Sequence, residues 1–581
     1  MKRLASTLAL IWRLVVPYFR SEDRWRALAL LTSVVVTGLA AVALNVLINK
    51  WNNEFYNAIQ KLDGKAFAYL LAYFCVLAGA YIVVRTYQTY LTQWLQIRWR
   101  HWLTERYLGH WLASANHYRV QLMGDAADNP DQRIADDIRL FVDYALRIAV
   151  GILDAVVTFL SFVVILWGLS AEAPLTINGV VWSIPGYLVW AALVYSVAGT
   201  ALTHFIGRQL IRLNFDQQRY EADFRFNLVR VRENSEQIAL SEGETAERGR
   251  LMDRFANVVA NWRSIMTRQK KLSFFVLGFG QAAIVFPYIV VAPAFFSGVM
   301  QLGGMMQTAD AFSSVQRSLS FFVDSYTDIT LWRAVIERLA GFERAIAAGK
   351  AATKDAPIIA RAHGPAAVEL DVERLELRLP TGDPLVRAHD LAFGPGDRVL
   401  VNGPSGSGKS TLFRAIAGIW PFGSGAIEVP ADASVMMLPQ RPYFPVGSLF
   451  AAACYPALPD RFTRKQVEDV LMAVGLDGLV PRLYDDAHWN RLLSLGEQQR
   501  LALARAILHA PRFLFLDEAT ASLDEAAEAA LYRLLDERLP DATIVSIGHR
   551  STLRAFHHRT YVLEREGEQY RVQEQMLQAA Q

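Results

Sequence analysis

Six long apolar stretches constrain the fold of this chain more than any other feature of its sequence. A helix that crosses the hydrocarbon layer of a membrane needs about 20 consecutive apolar residues. The stretches that meet this requirement are residues 28–48, 67–84, 149–169, 187–206, 274–296 and 312–335, of which the last is the least apolar. They predict an all-α membrane domain of six helices, followed by a sizeable part that is not membrane-embedded.

The distribution of lysine and arginine predicts how these helices are oriented. Basic residues are concentrated before the first stretch, after the second and after the fourth, whereas the predicted outer loops 49–65, 170–186 and 298–310 carry few. Because basic connections stay in the cytoplasm, both termini are predicted to lie there. The inner connections are long, charged and helix-forming, so the helices are expected to continue into the cytosol. A net charge of +3 gives no electrostatic reason to expect nucleic acid as a partner.

The composition changes after the sixth stretch. Residues 341–366 are rich in alanine, glycine and lysine and contain Pro357 and Pro365, a pattern typical of a linker. Strand-like runs then alternate with helical runs, which predicts an α/β domain. We therefore expect a transmembrane domain over residues 1–340, a linker over 341–366, an α/β domain over 367–570 and a tail over 571–581.

A complete P-loop follows the apolar run 399–401 and opens into a predicted helix. Its residues are Gly403, Pro404, Ser405, Gly406, Ser407, Gly408, Lys409, Ser410 and Thr411. The glycines let backbone N–H groups turn toward phosphates, the lysine supplies a point charge, and the Ser410 hydroxyl is a candidate Mg²⁺ ligand. The alternative, a chance Gly/Ser loop, is disfavoured by the flanking strand and helix. The α/β domain is thus predicted to bind ATP and Mg²⁺.

A second apolar run, residues 513–516, ends in two carboxylates, Asp517 and Glu518. Asp517 is predicted to hold Mg²⁺, and Glu518 to orient and deprotonate an attacking water. Such a pair alone is more typical of a solvated strand end. The P-loop upstream favours the catalytic interpretation.

Between these two elements lies a sequence that resembles the signature motif of ATP-binding-cassette proteins. It reads Leu493-Ser494-Leu495-Gly496-Glu497-Gln498-Gln499-Arg500, with a leucine where the commoner form has a second glycine. The family's other motifs occur in the right order. Gln440 resembles the glutamine that reaches Mg²⁺ and the attacking water, Ser522-Leu523-Asp524 resembles the D-loop, and His549 resembles the histidine that contacts the γ-phosphate.

This resemblance implies that one chain is incomplete. In the family, the Ser494 hydroxyl and the Gly496 backbone, with Glu497 and Asp524 in their motifs, would complete the ATP site of the opposite subunit. A homodimer with an exporter-like permease is the expected minimal unit, and a heterodimer with a related chain is the alternative. The family often places an aromatic residue upstream of the P-loop to stack on adenine, but residues 369–386 contain none. Glu518, His549 and Ser494 are intact, as in active ATPases.

The permease also contains motifs of a particular branch of the family. Residues 129–134 with 136–137, and residues 220–225 with 232–239, resemble cytosolic motifs of the peroxisomal fatty-acyl and lysosomal cobalamin half-transporters and of bacterial BacA-related permease–ATPase fusions. The resemblance implies that both segments lie at the tips of cytosolic extensions, where a short helix contacts a cassette. The alternative is that they are ordinary solvated charged helices.

Ionisable residues within or beside the apolar stretches bear on the cargo. They are Arg85, Asp154, His204, Asp324 and Asp328. Because a charge facing lipid is costly, they predict a polar translocation chamber, unless they lie on the helical extensions beyond the bilayer.

The resemblance favours import of bulky hydrophilic solutes, such as peptides or cobalamin-like compounds, across a bacterial inner membrane. The alternatives are transport of fatty-acyl or lipid compounds, and a proton-coupled permease with a regulatory cassette.

Overall fold

The computed structural model describes residues 2–122, 129–172, 175–177, 180–182, 184–355, 360–362, 369–430 and 433–576. Two compact units are formed. One contains residues 1–108 and 129–340, and the other contains residues 109–128 and 341–581. The second unit is therefore discontinuous in sequence, because it includes a segment that leaves the first unit and returns to it.

The amino-terminal part of the chain is helical, with one small hairpin. Its helices are α1 (Lys2–Phe19), α2 (Arg24–Gln60), α3 (Gly64–Leu112), α4 (Asn116–Leu122), α5 (Pro130–Gln132), α6 (Ile138–Glu172), α7 (Tyr187–Glu233), α8 (Ser235–Leu240), α9 (Glu244–Phe296), α10 (Leu302–Asp324) and α11 (Tyr326–Asp355). The antiparallel hairpin pairs β1 (Leu175–Ile177) with β2 (Val180–Trp182). Helix α4 belongs to the second unit.

Within the described ranges, five helices are long and apolar enough to span a membrane. They contain the first five predicted stretches, and several extend far beyond them: α3 has 49 residues, α7 has 47 and α9 has 53. The helical extensions expected from the charged connections are therefore present. The sixth predicted stretch, 312–335, is divided between α10 and α11, neither of which meets the same measure of apolarity.

Two predicted outer loops are shorter than the sequence indicated. Residues 49–60 continue α2, and α10 begins at Leu302, inside the predicted loop 298–310. Polar side chains at these positions bond to each other rather than to water: the Asn53 amide donates to Gln307 at 2.6 Å, and the Gly303 amide donates to Asn57 at 2.8 Å. Paired amides explain why a polar sequence is helical here.

The core of the first unit is an aromatic and aliphatic cluster shared by α6, α7, α9 and α10. Tyr195 stacks on Phe279 with ring centroids 4.2 Å apart, and its hydroxyl donates to the Phe279 carbonyl at 2.6 Å. Gly199 faces the same ring, where a Cβ atom would lie 2.2 Å from Phe279. Helices α7 and α9 are thus held in one antiparallel register.

The second unit is an α/β domain. Its strands are β3 (Ala360–Ala362), β4 (Leu370–Arg378), β5 (Pro384–Ala388), β6 (Leu391–Phe393), β7 (Arg398–Asn402), β8 (Gly423–Glu428), β9 (Val435–Leu438), β10 (Gly447–Ser448), β11 (Asp486–Ala487), β12 (Phe513–Asp517), β13 (Thr543–Ile547), β14 (Arg559–Glu566) and β15 (Gln569–Met576). Its helices, besides α4, are α12 (Lys409–Ile416), α13 (Leu449–Cys454), α14 (Arg464–Ala473), α15 (Trp489–Leu492), α16 (Leu495–His509) and α17 (Glu525–Arg538).

Most strands form one large mixed sheet. Its order is β3-β8-β4-β5-β15-β14-β7-β13-β12-β9, with β6 paired to β4. Strands β14, β7, β13, β12 and β9 are parallel neighbours. Their carboxyl ends therefore lie at one edge of the sheet, which is where an open α/β sheet places its ligand site. Apolar side chains of β7, β12 and β13 are buried between helices on both faces.

Two expected boundaries differ in the structure. Residues 341–355, predicted as the beginning of a linker, continue helix α11, since the alanines there favour helix. Residues 571–576, predicted as a tail, complete β15, which pairs with β14 along its whole length. Val572 is 5% exposed in that strand, so this segment contributes to the core.

Candidate active site

The P-loop connects β7 to α12 and has the backbone geometry that its glycines predict. Gly406 and Gly408 have φ values of +78° and +91°. A Cβ atom on Gly408 would lie 2.4 Å from the Val386 side chain, so only glycine fits there. The Lys409 ammonium donates to the carbonyls of Gly403 at 2.8 Å and Pro404 at 2.9 Å. Burial lowers the pKa of Lys409, and the carboxylates of Glu518 and Asp517 oppose that shift.

The loop also fits the phosphate and Mg²⁺ that it is predicted to bind. The Ser410 hydroxyl donates to Asp517 at 2.9 Å, which puts two oxygen ligands of the kind that Mg²⁺ prefers side by side. Burial raises the pKa of Asp517, and the hydrogen bond from Ser410 opposes that shift. The Ser407 hydroxyl is buried, and the described residues offer it no hydrogen-bond partner. A bound oxyanion would satisfy such a group.

Three predicted residues from three different loops meet at one carboxylate. Glu518 follows β12 with φ of +51°. Its Oε2 atom accepts a hydrogen bond of 2.9 Å from the Gln440 amide, and its Oε1 atom lies 3.3 Å from Nε2 of His549. The loops after β9, β12 and β13 thus bring Gln440, Glu518 and His549 together beside the P-loop.

A buried glutamine, Gln499, connects two of these loops. The sequence motifs assign it no role. Gln499 is 1% exposed. Its amide donates to the Gln440 carbonyl at 3.2 Å, and its carbonyl oxygen accepts from the Ser522 backbone N–H at 3.0 Å. Because both partners are backbone groups of distant segments, no sequence spacing could have revealed this role.

Arg550 fixes the D-loop in a similar way. Its guanidinium donates to the carbonyls of Leu523 at 2.7 Å and Ala521 at 3.1 Å, and lies 3.5 Å from the buried carboxylate of Glu528. The D-loop conformation is therefore set by the residue that directly follows His549.

The signature motif forms a capping box at the start of α16. The Ser494 hydroxyl accepts from the Glu497 backbone, and the Glu497 carboxylate accepts from the Ser494 backbone at 2.9 Å. Asp524 caps α17 by accepting from the Ala527 N–H at 2.7 Å. Ser494, Gly496, Glu497 and Asp524 line an open depression of about 620 Å³ that contains no P-loop residue. Within one chain the signature and the P-loop thus belong to separate concave surfaces.

Comparison with known protein families assigns both parts of the chain. The family described as "ABC transporter transmembrane region 2" matches residues 14–296, and the family described as "ABC transporter" matches residues 386–521. The inner membrane ABC transporter ATP-binding protein YddA of Escherichia coli (strain K12) is 34% identical over 92% of this chain and 94% of its own length. The chain belongs to the ABC transporter family.

Other relatives and a solved structure agree with this family assignment. The ABC transporter D family member 2, chloroplastic, of Arabidopsis thaliana is 33% identical over 96% of this chain and 86% of its own length. The human lysosomal cobalamin transporter ABCD4 is 24% identical over 94% of this chain and 92% of its own length. A bacterial Atm1-family ABC exporter with ATP bound matches with a TM-score of 0.68 at 17% identity, covering 95% of this chain and 94% of that one.

These findings confirm the predicted class. The chain is an ATP-hydrolysing half-transporter with an exporter-like helical permease and an α/β cassette, and a half-transporter of this fold works as a dimer. Its long apolar helices make it an integral membrane protein.

In this ABC transporter, a helix that the sequence motifs did not single out contacts the cassette core. Helix α4, within the cassette unit, donates from Arg119 to the Gly418 carbonyl at 3.3 Å, and Leu122 packs on the core beneath β7. The predicted segment 129–137 starts the helical run into α6, and its contact with a cassette stays a prediction. There Asp137 is 2% exposed and accepts from Arg133 at 2.7 Å and Arg338 at 2.6 Å, so its charges stabilise the permease.

The second predicted segment does contain a short helix at a tip. Helix α8 joins the long helices α7 and α9, as expected, and has no buried residue. Leu240 at its end is 80% exposed. Its contact with a cassette stays a prediction.

The permease unit contains a polar cavity of about 830 Å³ between α2, α3, α6 and α10. The charged side chains that line it are Arg85, Asp143, Arg147, Asp154, Asp310 and Arg317. Two of the five residues expected in a polar chamber, Arg85 and Asp154, face it and form an ion pair of 3.0 Å. Asp328 pairs with Arg147 at 3.2 Å behind the lining, His204 lies on α7 away from it, and the side chain of Asp324 is outside the described part.

Proposed function

We propose that two copies of this chain form an ATP-driven importer of bulky hydrophilic solutes in a bacterial inner membrane. The observation that carries the proposal is the charged cavity among apolar helices. Its lining contains three arginines and three aspartates, which would be costly if they faced lipid. The names of two relatives, an inner membrane transporter and a lysosomal cobalamin transporter, agree with this location and with a large polar cargo.

The cavity offers unsatisfied groups to such a cargo. Among the described residues, the Gln88 amide nitrogen and one carboxylate oxygen of Asp154 are buried without a hydrogen-bond partner. Arg317 is exposed in the cavity and bonds only to Ser314, at 3.1 Å, with no carboxylate of the described chain in reach. A solute with both donors and acceptors satisfies these groups, whereas an acyl chain does not.

Hydrolysis is assigned to the residues that meet at the sheet edge. Glu518 would accept the proton of the attacking water, with Gln440 and His549 holding its two oxygens in place. Lys409 and the P-loop amides would bind the phosphates, and Ser410, Asp517 and Gln440 would hold Mg²⁺, which neutralises phosphate charge when bound. Ser494 and Gly496 of the second copy would complete the γ-phosphate site, since one chain keeps them in a separate depression.

Cassette closure would then shift the permease between two states that bind cargo differently. Helix α4 would transmit closure from its own cassette, and the exposed helix α8 would receive it from the cassette of the second copy.

The test is ATPase activity and uptake in proteoliposomes, comparing the natural sequence with Glu518→Gln. Cobalamin, cationic peptides and acyl-CoA are supplied in turn on either side of the membrane. Stimulation by cobalamin or peptide, with uptake toward the cassette side that the variant lacks, supports the proposal. Stimulation by acyl-CoA alone points to a lipid transporter, and uptake that survives in the variant but stops with an uncoupler points to proton coupling.

A further inference from the structure

A basic depression lies between α7 and α9 at the end of their apolar segments. It has a volume of about 470 Å³ and is lined by Phe205, Ile206, Arg208, Gln209, Arg268 and Lys271. The register of the two helices puts these residues at one level, because Gly207 faces Leu272. The apolar stretch of α7 ends at residue 206 and that of α9 begins at residue 274. The depression is therefore at the cytoplasmic boundary of the hydrocarbon layer.

The cations of this depression have no ionic partner in the part of the chain that the structure describes. Among the described residues, no carboxylate lies within ion-pair distance of Arg208, Arg268 or Lys271. Other arginines of the same unit are neutralised by the chain itself: Arg98 pairs with Asp23 at 2.6 Å. Further along α7, Arg219 pairs with Asp216 at 3.6 Å. Three cations that line one depression and lack a carboxylate partner among the described residues form a site for an anion.

The surface beside the cations is apolar on the membrane side. Phe205, whose ring lies 5.0 Å from the Arg208 guanidinium, is 65% exposed. One turn further into the membrane, Leu202 is 47% exposed, and Phe274 and Leu277 of α9 are 77% and 69% exposed. A ligand that carries a phosphate and extends an apolar chain from it matches both surfaces. A free phosphate matches only the first.

We propose that this depression binds the phosphate of an anionic phospholipid from the cytoplasmic leaflet. Basic pockets between membrane helices on the cytoplasmic side are suited to such headgroups, and each cation near the surface strengthens binding roughly fivefold. The bound lipid joins α7 to α9 at the point where both helices leave the membrane.

The test is native mass spectrometry of the full-length chain in detergent with phosphatidylglycerol, phosphatidylethanolamine or inorganic phosphate. The test variant is Arg208→Gln/Arg268→Gln/Lys271→Gln. The matched control, Arg248→Gln/Arg250→Gln/Arg254→Gln, removes the same charge from exposed positions on α9, about 20–35 Å further into the cytosol. We expect phosphatidylglycerol to bind more tightly than phosphatidylethanolamine, to lose roughly a hundredfold in affinity in the test variant and to be retained by the control.

Several outcomes would overturn the proposal. Equal affinity for the two lipids, or an equal loss in the control, would make the preference a general charge effect. Full displacement of phosphatidylglycerol by millimolar phosphate would make this a free-phosphate site. If the triple variant does not fold, Lys271→Gln alone should still weaken phosphatidylglycerol binding roughly fivefold, and an unchanged affinity there would also exclude the lipid.

Discussion

At the scale of single residues, the cassette core contains a histidine that the sequence motifs do not use. His557 is 4% exposed, and its two ring nitrogens lie 2.7 Å from the Leu553 carbonyl and 2.9 Å from the Ser546 hydroxyl. Ser546 also accepts a hydrogen bond of 3.0 Å from the Tyr532 hydroxyl. A neutral imidazole, with one donor and one acceptor nitrogen, satisfies this chain of bonds. Ser546 belongs to the strand that leads to His549.

This arrangement predicts a pH-dependent stability. Burial lowers the pKa of His557 from 6.5 to about 4, so between these values the unfolded chain binds more protons than the folded one. The stabilisation is complete above about pH 6.5, and roughly 3 kcal/mol is lost as the pH falls toward 4. We expect the melting temperature of the full chain to fall between pH 7.5 and pH 5, and to fall less in His557→Gln. An equal fall in the variant would contradict this assignment.

The two hydrogen bonds of Gln499 predict that replacing this residue lowers ATP hydrolysis without weakening ATP binding. Gln499→Met keeps the side-chain volume but leaves the Gln440 carbonyl and the Ser522 N–H unpaired, at a cost of about 1–3 kcal/mol. We expect kcat for ATP hydrolysis to fall about tenfold while the Kd for ATP stays within about twofold. Gln573→Met, on an exposed position of β15, is the control. An unchanged kcat would show that the link between the loops does not position Gln440.

Gln499 and His557 show which part of the cassette the sequence does not predict. Lys409, Ser410 and Glu518 belong to short motifs directly after strands, so strand order alone brings them to one edge. The Gln499 side chain bonds to backbone groups that are distant in sequence. The His557 ring bonds to the Leu553 carbonyl four residues before it and to the side-chain hydroxyl of Ser546 on β13. Their positions follow from packing, which motif spacing does not encode.

At the scale of elements, the composition of α10 explains why the sixth predicted stretch, 312–335, does not coincide with one apolar membrane-spanning helix. Its buried positions include polar residues, namely Gln307, Thr308, Ser314 and Ser318. They lower its apolarity because α10 packs against α2, α6, α7 and α9 rather than standing alone in lipid. A hydropathy threshold detects helices whose side chains face lipid. A helix that packs on all sides against other helices can carry polar residues and fall below that threshold.

The amide network of α2 and α10 predicts a specific loss of stability. Gln307 receives a bond from Asn53 and donates to Asn49 at 3.2 Å. Gln307→Leu leaves an unpaired group on both asparagines, of which Asn49 is fully buried and Asn53 partly buried. We therefore expect a destabilisation of about 1–3 kcal/mol, seen as a lower melting temperature in detergent. Gln301→Leu, at an exposed position just before α10, should change it little. Equal melting temperatures for both variants would argue against the network.

Helix α4 predicts an uncoupled variant. Arg119→Ala removes the bond to the Gly418 carbonyl, so we expect basal ATP hydrolysis to persist while stimulation by cargo falls severalfold. Gln121→Ala, at an exposed position on the same helix, is the control. Normal stimulation in Arg119→Ala would show that this contact does not transmit cassette closure.

At the scale of the whole molecule, the proposed pair of composite ATP sites predicts complementation between defective chains. Lys409→Ala destroys the P-loop and Ser494→Arg destroys the signature, so neither variant alone should hydrolyse ATP. When the two are mixed before dimers form, random pairing gives about a quarter of sites an intact P-loop and an intact signature. We expect ATPase activity to return to about that fraction. No recovery would mean that each site is completed within its own chain.

The discontinuous cassette unit has a consequence for how the protein is made. Arg119 and Gly418 are 299 residues apart in sequence. At the usual pace of synthesis, helix α4 leaves the ribosome roughly 15–60 seconds before its binding surface exists. During that interval Leu122, which packs against the cassette core in the finished protein, has no cassette to cover it. The nascent permease must therefore enter the membrane before the cassette that helix α4 packs against has been synthesised.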